Sequence, residues 1–215
     1  MKISKLTGGP LAVNTWFVFN TDGSAMVIDP GVSADSIIAH LKQNAIEALS
    51  IVLTHGHLDH ITAIADLTSQ YPSAKVYCHR DDAFFLGEGA VERHRSFFEQ
   101  IGAGFVSRFI PEHIPQADEF LEEGQTLGEF TILHTPGHSP GSVCLYAPSE
   151  QVLFSGDTLF NAGWGRTDSP GGSDAALFES LTRLSKLPGQ TRVLCGHGED
   201  TTIAREFLLR GGQSL

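Results

Sequence analysis

The chain has 215 residues, 41% of them hydrophobic and 18% charged, a composition typical of a folded globular protein and not of a disordered or collagen-like one. Its 25 acidic and 14 basic residues give a formal net charge of −11. Because such a surface repels phosphate backbones and anionic lipids, the charge argues against nucleic-acid and membrane binding. No linker, repeat or low-complexity tract divides the sequence, so we expect one domain over residues 1–215.

The cysteines and the N-terminus together predict a cytoplasmic protein. Cys78, Cys144 and Cys195 cannot all pair and form no C-x-x-C motif, so we interpret them as buried thiols in a reducing compartment. The first six residues lack the apolar stretch of a secretory signal. No segment has the roughly 18 apolar residues of a membrane span.

The first half of the chain alternates strand and helix signals. Asp22 and Gly23 form a turn pair between two apolar runs, which predicts a β-hairpin. Apolar residues at helical spacing predict one helix around 37–41 and another from about His60 onwards. The predicted strands of this half are 15–19, 25–28, 49–53 and 75–78.

The middle of the chain is less regular. Residues 84–109 contain six phenylalanines among charged residues and glycines. Two interpretations of this segment stay open, namely a flap over a substrate and a pair of short helices packed on the surface.

The second half also combines predicted strands with a predicted helix, although its sequence does not repeat that of the first half. Three leucines at helical spacing after Asp174 predict a helix over about 174–184. Strands and helices that alternate in both halves predict two mixed sheets packed face to face, with helices on the outside. The predicted strands of this half are 130–133, 142–146, 151–154 and 192–195.

The densest group of candidate metal ligands directly follows the predicted strand 49–53. Residues 54–60 read Thr-His-Gly-His-Leu-Asp-His. A strand would point alternate side chains to opposite faces, whereas a turn can aim them at one point, and Gly56 gives the backbone the freedom to turn. Imidazole and carboxylate groups bind zinc, iron and manganese, so the pattern predicts a metal site. The candidate ligands are His55, His57, Asp59 and His60.

Three further ligand-type residues stand beside a glycine just after a predicted strand. They are His138, Asp157 and His197. Each alone is typical of a turn residue or a satisfied polar group. Because the same arrangement occurs at four strand ends, we predict that these residues join the 54–60 group in one site.

The order His-x-His-x-Asp-His, then His, Asp and His, resembles the metallo-β-lactamase superfamily over about residues 29–199. The resemblance implies an α/β fold, a four-layer αββα sandwich with the active site at one edge between the sheets. It also implies two divalent metal ions, with zinc expected and iron or manganese as alternatives. One ion would bind His55, His57 and His138, the other Asp59, His60 and His197, and Asp157 would bridge the two.

Asp157 narrows the resemblance within this superfamily. The main zinc β-lactamases have a cysteine metal ligand at this point, whereas a bridging aspartate resembles the glyoxalase II-like hydrolases. The stretch 163–168, Gly-Trp-Gly-Arg-Thr-Asp, resembles the same group in its short, single-domain branch. We interpret Arg166 and Asp168 as an ion pair that braces the loop of Asp157. Asp29 resembles an outer-shell aspartate that would hydrogen-bond a metal ligand or the Thr54 loop.

The resemblance implies hydrolysis of a small thioester such as S-lactoylglutathione, through attack of a metal-bridging hydroxide. Asp59, besides binding metal, is the candidate catalytic residue that would orient the nucleophile. Full-length glyoxalase II also has a helical C-terminal domain that contacts glutathione, and we expect this chain to lack it. Glutathione recognition is therefore not carried over with the metal site.

Other activities remain open at this stage. Persulfide dioxygenases share the fold and a similar Gly-Arg-Thr-Asp stretch, and their single iron would correspond to a site of His55, His138 and Asp157. A nuclease is disfavoured by the negative charge. A non-catalytic relative is disfavoured because such proteins usually lose metal ligands, and none is missing here.

Overall fold

The computed structural model describes residues 1–100 and 102–208, which form two six-stranded sheets and a small two-stranded one. Ile101 of the 84–109 segment and residues 209–215 of the predicted domain lie outside the described residues. In chain order the strands are β1 (Lys2–Gly8), β2 (Val13–Phe19), β3 (Ser24–Ile28), β4 (Ala48–Val52), β5 (Lys75–His79), β6 (Glu119–Leu121), β7 (Thr126–Leu127), β8 (Phe130–His134), β9 (Val143–Ala147), β10 (Val152–Gly156), β11 (Leu159–Phe160), β12 (Gly163–Trp164), β13 (Arg192–Cys195) and β14 (Thr201–Thr202).

Within the described residues, five α-helices and several short helical turns connect these strands. Short 3-10 helices span Arg80–Phe85 and Gly104–Phe109, and a π-helical turn spans Ala204–Leu208. The α-helices are α1 (Ala34–Gln43), α2 (Leu58–Ile61), α3 (Ile64–Gln70), α4 (Ala90–Gln100) and α5 (Asp174–Leu184).

Each large sheet mixes parallel and antiparallel pairs. In the first sheet, ordered β1-β2-β3-β4-β5-β6, the first three strands are antiparallel and the pairs from β3 to β6 are parallel. The predicted hairpin is present, since Asp22 Oδ1 accepts a hydrogen bond from the Ser24 amide (2.9 Å) and Gly23 has a φ of +83°. In the second sheet, ordered β14-β13-β10-β9-β8-β7, only β10 and β13 are parallel.

The two sheets pack face to face because their inner strand faces are apolar. Trp16 and Ile28 of the first sheet belong to one buried cluster with Phe130, Phe154 and Leu194 of the second. The Trp16 and Phe154 rings meet edge to face with centroids 5.8 Å apart. This cluster is the centre of the sandwich, and it confirms the predicted face-to-face sheets.

Helices cover the outer face of each sheet. Ile37 of α1 and Ile64 of α3 are buried in a cluster with Phe17 and Ile51 from the outer face of the first sheet. Leu181 of α5 is buried with strand residues on the outer face of the second. Both faces of β2 are therefore covered, which explains why all seven of its residues are buried. The layers run helix, sheet, sheet, helix, as predicted.

Several finer predictions can also be compared with the structure. The three cysteines are free and buried, as predicted. The edge strand β1 was not predicted, because its residues are exposed or only half-buried and carry no clear apolar alternation. None of the helices within residues 1–100 and 102–208 is both long and apolar enough to cross a bilayer.

Candidate metal centre

The candidate ligands lie at the ends of strands that meet at one edge of the sandwich. After β4, the chain turns at Gly56 and enters α2, which begins at Leu58. Glycine is required at position 56 because a Cβ there would lie 2.6 Å from Phe85 side-chain atoms. His138, Asp157 and His197 follow the ends of β8, β10 and β13. The structure thus brings together all seven candidate ligands.

Three histidines form the first ligand group. His138 Nε2 lies 2.8 Å from His57 Nδ1 and 3.2 Å from His55 Nε2. Two nitrogens that bind one tetrahedral zinc at about 2.0–2.1 Å would lie about 3.3 Å apart. His55 and His138 are buried, and His57 is half-buried. The spacing of this group therefore fits a single ion.

The second group combines a carboxylate with two histidines. Asp59 Oδ2 lies 3.2 Å from His197 Nε2 and 3.6 Å from His60 Nε2. The two imidazole nitrogens are 3.3 Å apart. These three residues also have the spacing of a metal-ligand set.

Asp157 lies between the two groups. Its Oδ2 is 3.6 Å from His138 Nε2 of the first group and 3.5 Å from His197 Nε2 of the second. Its Oδ1 is 3.3 Å from His60 Nε2. A single carboxylate thus reaches ligands of both groups, which is the geometry that a bridging role requires.

The hydrogen-bonding of the rings supports metal binding. His138 Nδ1 lies 2.7 Å from the Arg166 carbonyl, and His197 Nδ1 lies 3.0 Å from the Leu11 carbonyl. A carbonyl can only accept, so these Nδ1 atoms carry a hydrogen, and the Nε2 atoms that face the site are the ring positions left to bind a metal. Asp157 Oδ1 is buried without a hydrogen-bond partner among the described residues. Imidazole nitrogens and carboxylate oxygens that converge in this way are the ligands that divalent metals bind, so the donor set fits a pair of metal ions.

The electrostatics hold most of the ligands in their metal-binding protonation states. Burial, with help from the neighbouring His138, lowers the pKa of His57 to about 3, and burial lowers that of His55 well below its usual value. Burial is the largest single effect and would raise the pKa of Asp59 and Asp157, but the surrounding histidines, His60 foremost, together outweigh it and lower both. Neutral imidazoles and ionised carboxylates are the forms that bind metal.

His60 and His197 behave differently because they face the carboxylates. Burial opposes the effect, but Asp157 and Asp59 raise the pKa of His60 well above its usual value. Burial opposes this effect at His197 too, and the main factor that raises its pKa is the hydrogen bond that its ring donates to the Asp59 carboxylate. A metal ion bound by this group would therefore displace protons from the two rings.

Asp29 supports the 54–60 loop from behind. Its Oδ1 accepts a hydrogen bond from the Thr54 amide (2.8 Å), and its Oδ2 accepts one from Thr54 Oγ1 (2.7 Å). Oδ2 also lies 2.9 Å from His60 Nδ1. Asp29 has a φ of +52°, a strained conformation for a residue with a side chain. The strain and the three contacts are consistent with the orienting role that the sequence comparison implied.

Arg166 and Asp168 form an exposed ion pair beside the site. Arg166 Nε and Nη2 lie 2.5 and 2.7 Å from the two carboxylate oxygens of Asp168. Arg166 contacts a candidate ligand through its backbone and not its side chain, because its carbonyl oxygen accepts a hydrogen bond from His138 Nδ1. Gly165, next to it, has no room for a side chain, since a Cβ would lie 2.0 Å from the Asp157 carbonyl.

Sequence reasoning missed one buried aspartate that connects two ligand loops. Asp82 accepts hydrogen bonds from the Gly56 amide (2.8 Å), Ser139 Oγ (2.7 Å) and the Gly141 amide (2.6 Å). It therefore links the loop of His55 and His57 to the loop of His138. Burial raises the pKa of Asp82, and its hydrogen bonds with Ser139, Gly56 and Gly141 offset part of that effect. The available signal was weak, because Asp82 stands next to a second aspartate in an irregular segment.

The loop of His197 is supported from the other side of the sandwich. Asn14 Nδ2 donates to the carbonyls of Cys195 (3.1 Å) and Gly198 (2.9 Å), and Trp16 Nε1 also donates to Cys195 (3.0 Å). Cys195 itself is buried in the outer-face cluster beneath α5, so its thiol is not part of the ligand set. No pattern in the sequence pointed to Asn14.

Part of the 84–109 segment lies over the candidate centre. Phe97 and Phe98 of α4 line a cavity that also includes His57, His138 and Asp157. Phe98 packs against Leu58 of α2 in a small separate apolar cluster. The segment thus forms packed helices, as one interpretation held, and these helices also supply a wall beside the ligands.

Comparison with known proteins agrees with this geometry. A family model described as the metallo-beta-lactamase superfamily matches residues 8–197. The hydroxyacylglutathione hydrolase GloC of Haemophilus influenzae is 33% identical over 198 residues, which cover 90% of this chain and 89% of that protein.

Two solved structures are similar over nearly their whole length. TTHA1623 in a di-iron-bound form is 38% identical with a TM-score of 0.80, over 94% of this chain and 96% of that one. The BLEG-1 B3 metallo-beta-lactamase is 36% identical with a TM-score of 0.80, over 95% of each chain. The three relatives differ in their named activity or metal, so the site must be interpreted from its own residues.

Proposed function

Because the chain belongs to the metallo-β-lactamase superfamily, we propose that it is a binuclear metal-dependent hydrolase that cleaves small thioesters. The observation that carries the proposal is the position of Asp157, whose carboxylate lies within 3.6 Å of ligand nitrogens from both groups. A carboxylate shared in this way fits two neighbouring ions better than one.

The roles of the residues follow from their contacts. His55, His57 and His138 would hold one ion, Asp59, His60 and His197 the other, and Asp157 would bridge them. Two bound cations of this kind supply an acidified water and polarise a carbonyl oxygen. Asp59 lines the same cavity as ligands of both groups, and there it would also orient the attacking water. The carbonyls of Arg166 and Leu11 keep the His138 and His197 rings in the required tautomer.

A thioester is the preferred substrate class for two reasons. The relative named as a hydroxyacylglutathione hydrolase is similar over about nine-tenths of both chains. The 163–168 stretch, which resembles the same group of enzymes, lies beside the ligands, with the Arg166 carbonyl bonded to His138. Zinc is the expected metal, although iron has support from the di-iron form of TTHA1623.

The alternative of a mononuclear iron persulfide dioxygenase would use His55, His138 and Asp157 only. It is weaker because it leaves Asp59, which converges on His197 at 3.2 Å, without a role. The similarity to BLEG-1 makes β-lactam hydrolysis a second reaction to measure.

The proposal is tested by metal analysis together with substrate assays. We expect about two metal ions per chain and hydrolysis of S-lactoylglutathione or a simpler thioester. Asp157→Ala should reduce both metal content and turnover at least tenfold, whereas Asp35→Ala, an exposed aspartate on α1, should change neither. One iron per chain with oxygen uptake on glutathione persulfide would replace this proposal with the dioxygenase. Cleavage of a chromogenic cephalosporin but no thioester would reassign the substrate.

A further inference from the structure

A cavity of about 170 Å³ beside the candidate centre has two chemically different walls. One wall is formed by ligands, including His57, His138 and Asp157. The other is formed mainly by apolar side chains, which are Leu58, Phe84, Phe85, Phe97 and Phe98. The apolar wall begins directly at the ligands, since the Phe85 and His57 rings meet edge to face with centroids 5.1 Å apart. A group bonded to the reacting carbonyl would therefore enter this apolar space.

The cationic side chains at the cavity already have partners. Arg93 donates from Nε to the Phe84 carbonyl (2.6 Å) and from Nη2 to the carbonyls of Leu86 (3.2 Å) and Glu88 (2.9 Å). The guanidinium of Arg166 is bound to Asp168. No lysine is among the described residues that line the cavity. The two carboxylates of a glutathione moiety would have to compete with these bonds.

The size of the cavity limits what can fill it. An apolar cavity of about 150 Å³ lined by leucine, isoleucine and phenylalanine is large enough to bind benzene. Phenylalanine rings also favour contact with another ring at an angle or with an offset. The space beside the ligands therefore suits a single ring or a branched aliphatic group of similar volume.

From these observations we infer that the preferred substrate is a thioester with an apolar, ring-sized group next to its scissile bond, and not a glutathione thioester of a small polar acid. This inference rests on the proposed function and specifies its substrate class. The shared chemistry is the apolar group, which could belong to the acyl or to the thiol part.

The test compares four thioesters with the metal-loaded protein, each corrected for its rate of alkaline hydrolysis. Phenylacetyl-N-acetylcysteamine carries the ring on the acyl side, S-benzyl thioacetate carries it on the thiol side, acetyl-N-acetylcysteamine lacks it, and S-lactoylglutathione is polar and charged. We expect at least a tenfold higher kcat/KM for one of the ring-containing substrates than for the acetyl compound. The better of the two identifies the side that enters the cavity.

Three phenylalanine variants test whether the substrate preference depends on the cavity. Phe97→Ala removes a ring from the apolar wall and should lower the ring-to-acetyl ratio of kcat/KM at least fivefold, with Phe97→Leu in between. Phe105→Ala is the matched control, because Phe105 is 65% exposed and lies outside the cavity. Binding of benzyl alcohol, followed by ligand-observed NMR, should weaken in Phe97→Ala and not in Phe105→Ala, which provides a measurement independent of turnover.

The outcomes distinguish a failure of the substrate inference from a failure of the proposed thioesterase function. If S-lactoylglutathione is the best substrate, or if Phe97→Ala leaves the ratio unchanged, the inference is wrong and the proposed thioesterase function stands. If protein with two metals per chain cleaves none of the four thioesters, the proposed function fails and the inference fails with it.

Discussion

Asp82→Ala is the substitution that most directly tests how the two ligand loops are held together. Asp82 is fully buried and accepts hydrogen bonds from Gly56, Ser139 and Gly141 at 2.6–2.8 Å. In the variant, Ser139 Oγ keeps its contact with Ser142 Oγ (2.7 Å). The buried amides of Gly56 and Gly141 lose the partner that Asp82 supplies.

The expected cost follows from these two amides. Each buried backbone amide without a partner costs about 1–3 kcal/mol, so the pair costs about 2–6 kcal/mol. Part of this is offset, because removal of Asp82 also relieves the burial of its carboxylate, which raises its pKa in the folded protein. We therefore expect the free energy of unfolding to fall by about 2–4 kcal/mol, a large part of the typical 5–15 kcal/mol.

The assay is urea denaturation of the metal-loaded and chelated forms, combined with metal competition against a chelator. Asp81→Ala is the matched control, because its side chain is 56% exposed, and it should change stability by less than about 0.5 kcal/mol. Metal affinity should fall about 10–100-fold in Asp82→Ala, as is usual when support of ligands is lost. A stability loss below about 1 kcal/mol with unchanged metal affinity would refute the bracing role.

Three further outcomes are expected. Gly196→Ala should abolish metal binding, because the added Cβ would lie 2.3 Å from Asp157 Oδ1. Gly163→Ala is the control, since a Cβ at that position would meet open space, and this variant should bind metal normally. Equal metal content in the two variants would contradict the close packing of the site. The three thiols should not react with Ellman's reagent at pH 8 until the protein unfolds, because burial raises the pKa of all three, that of Cys144 to about 11, and keeps them protonated. Rapid labelling of the native protein would show that they are accessible. The sequence interpretation had the pair of Arg166 and Asp168 bracing the loop of Asp157, but the pair is exposed and screened by solvent, so Asp168→Ala should leave the denaturation midpoint unchanged. A clear drop in midpoint would show that the pair does brace the loop.

Some features of this protein were readable from local patterns. Apolar runs broken by turns predicted the two sheets and their outer helices, since a strand covered on both faces must be apolar throughout. Four of the seven candidate ligands were found as one cluster within residues 54–60, directly after an apolar run, and the other three because each stands beside a glycine after such a run. Side chains from different strands can converge where the strands end. Each ligand can therefore be recognised from its own neighbours in the sequence, although the site combines distant segments.

Other features depend on contacts between distant segments and leave no local pattern. Asp82 looks like any loop aspartate until folding places the amides of Gly56 and Gly141 around it, 26 and 59 residues away. The same holds for Asn14, which supports a loop about 180 residues further along. The apolar lining of the cavity could not be predicted either. Whether the phenylalanines of 84–109 line the cavity or lie on the surface depends on the position of α4 beside the ligands, which only the structure shows. The sequence by itself thus determined the fold class and the set of possible ligands, while the tertiary structure decided which residues hold those ligands in place and which side chains surround them.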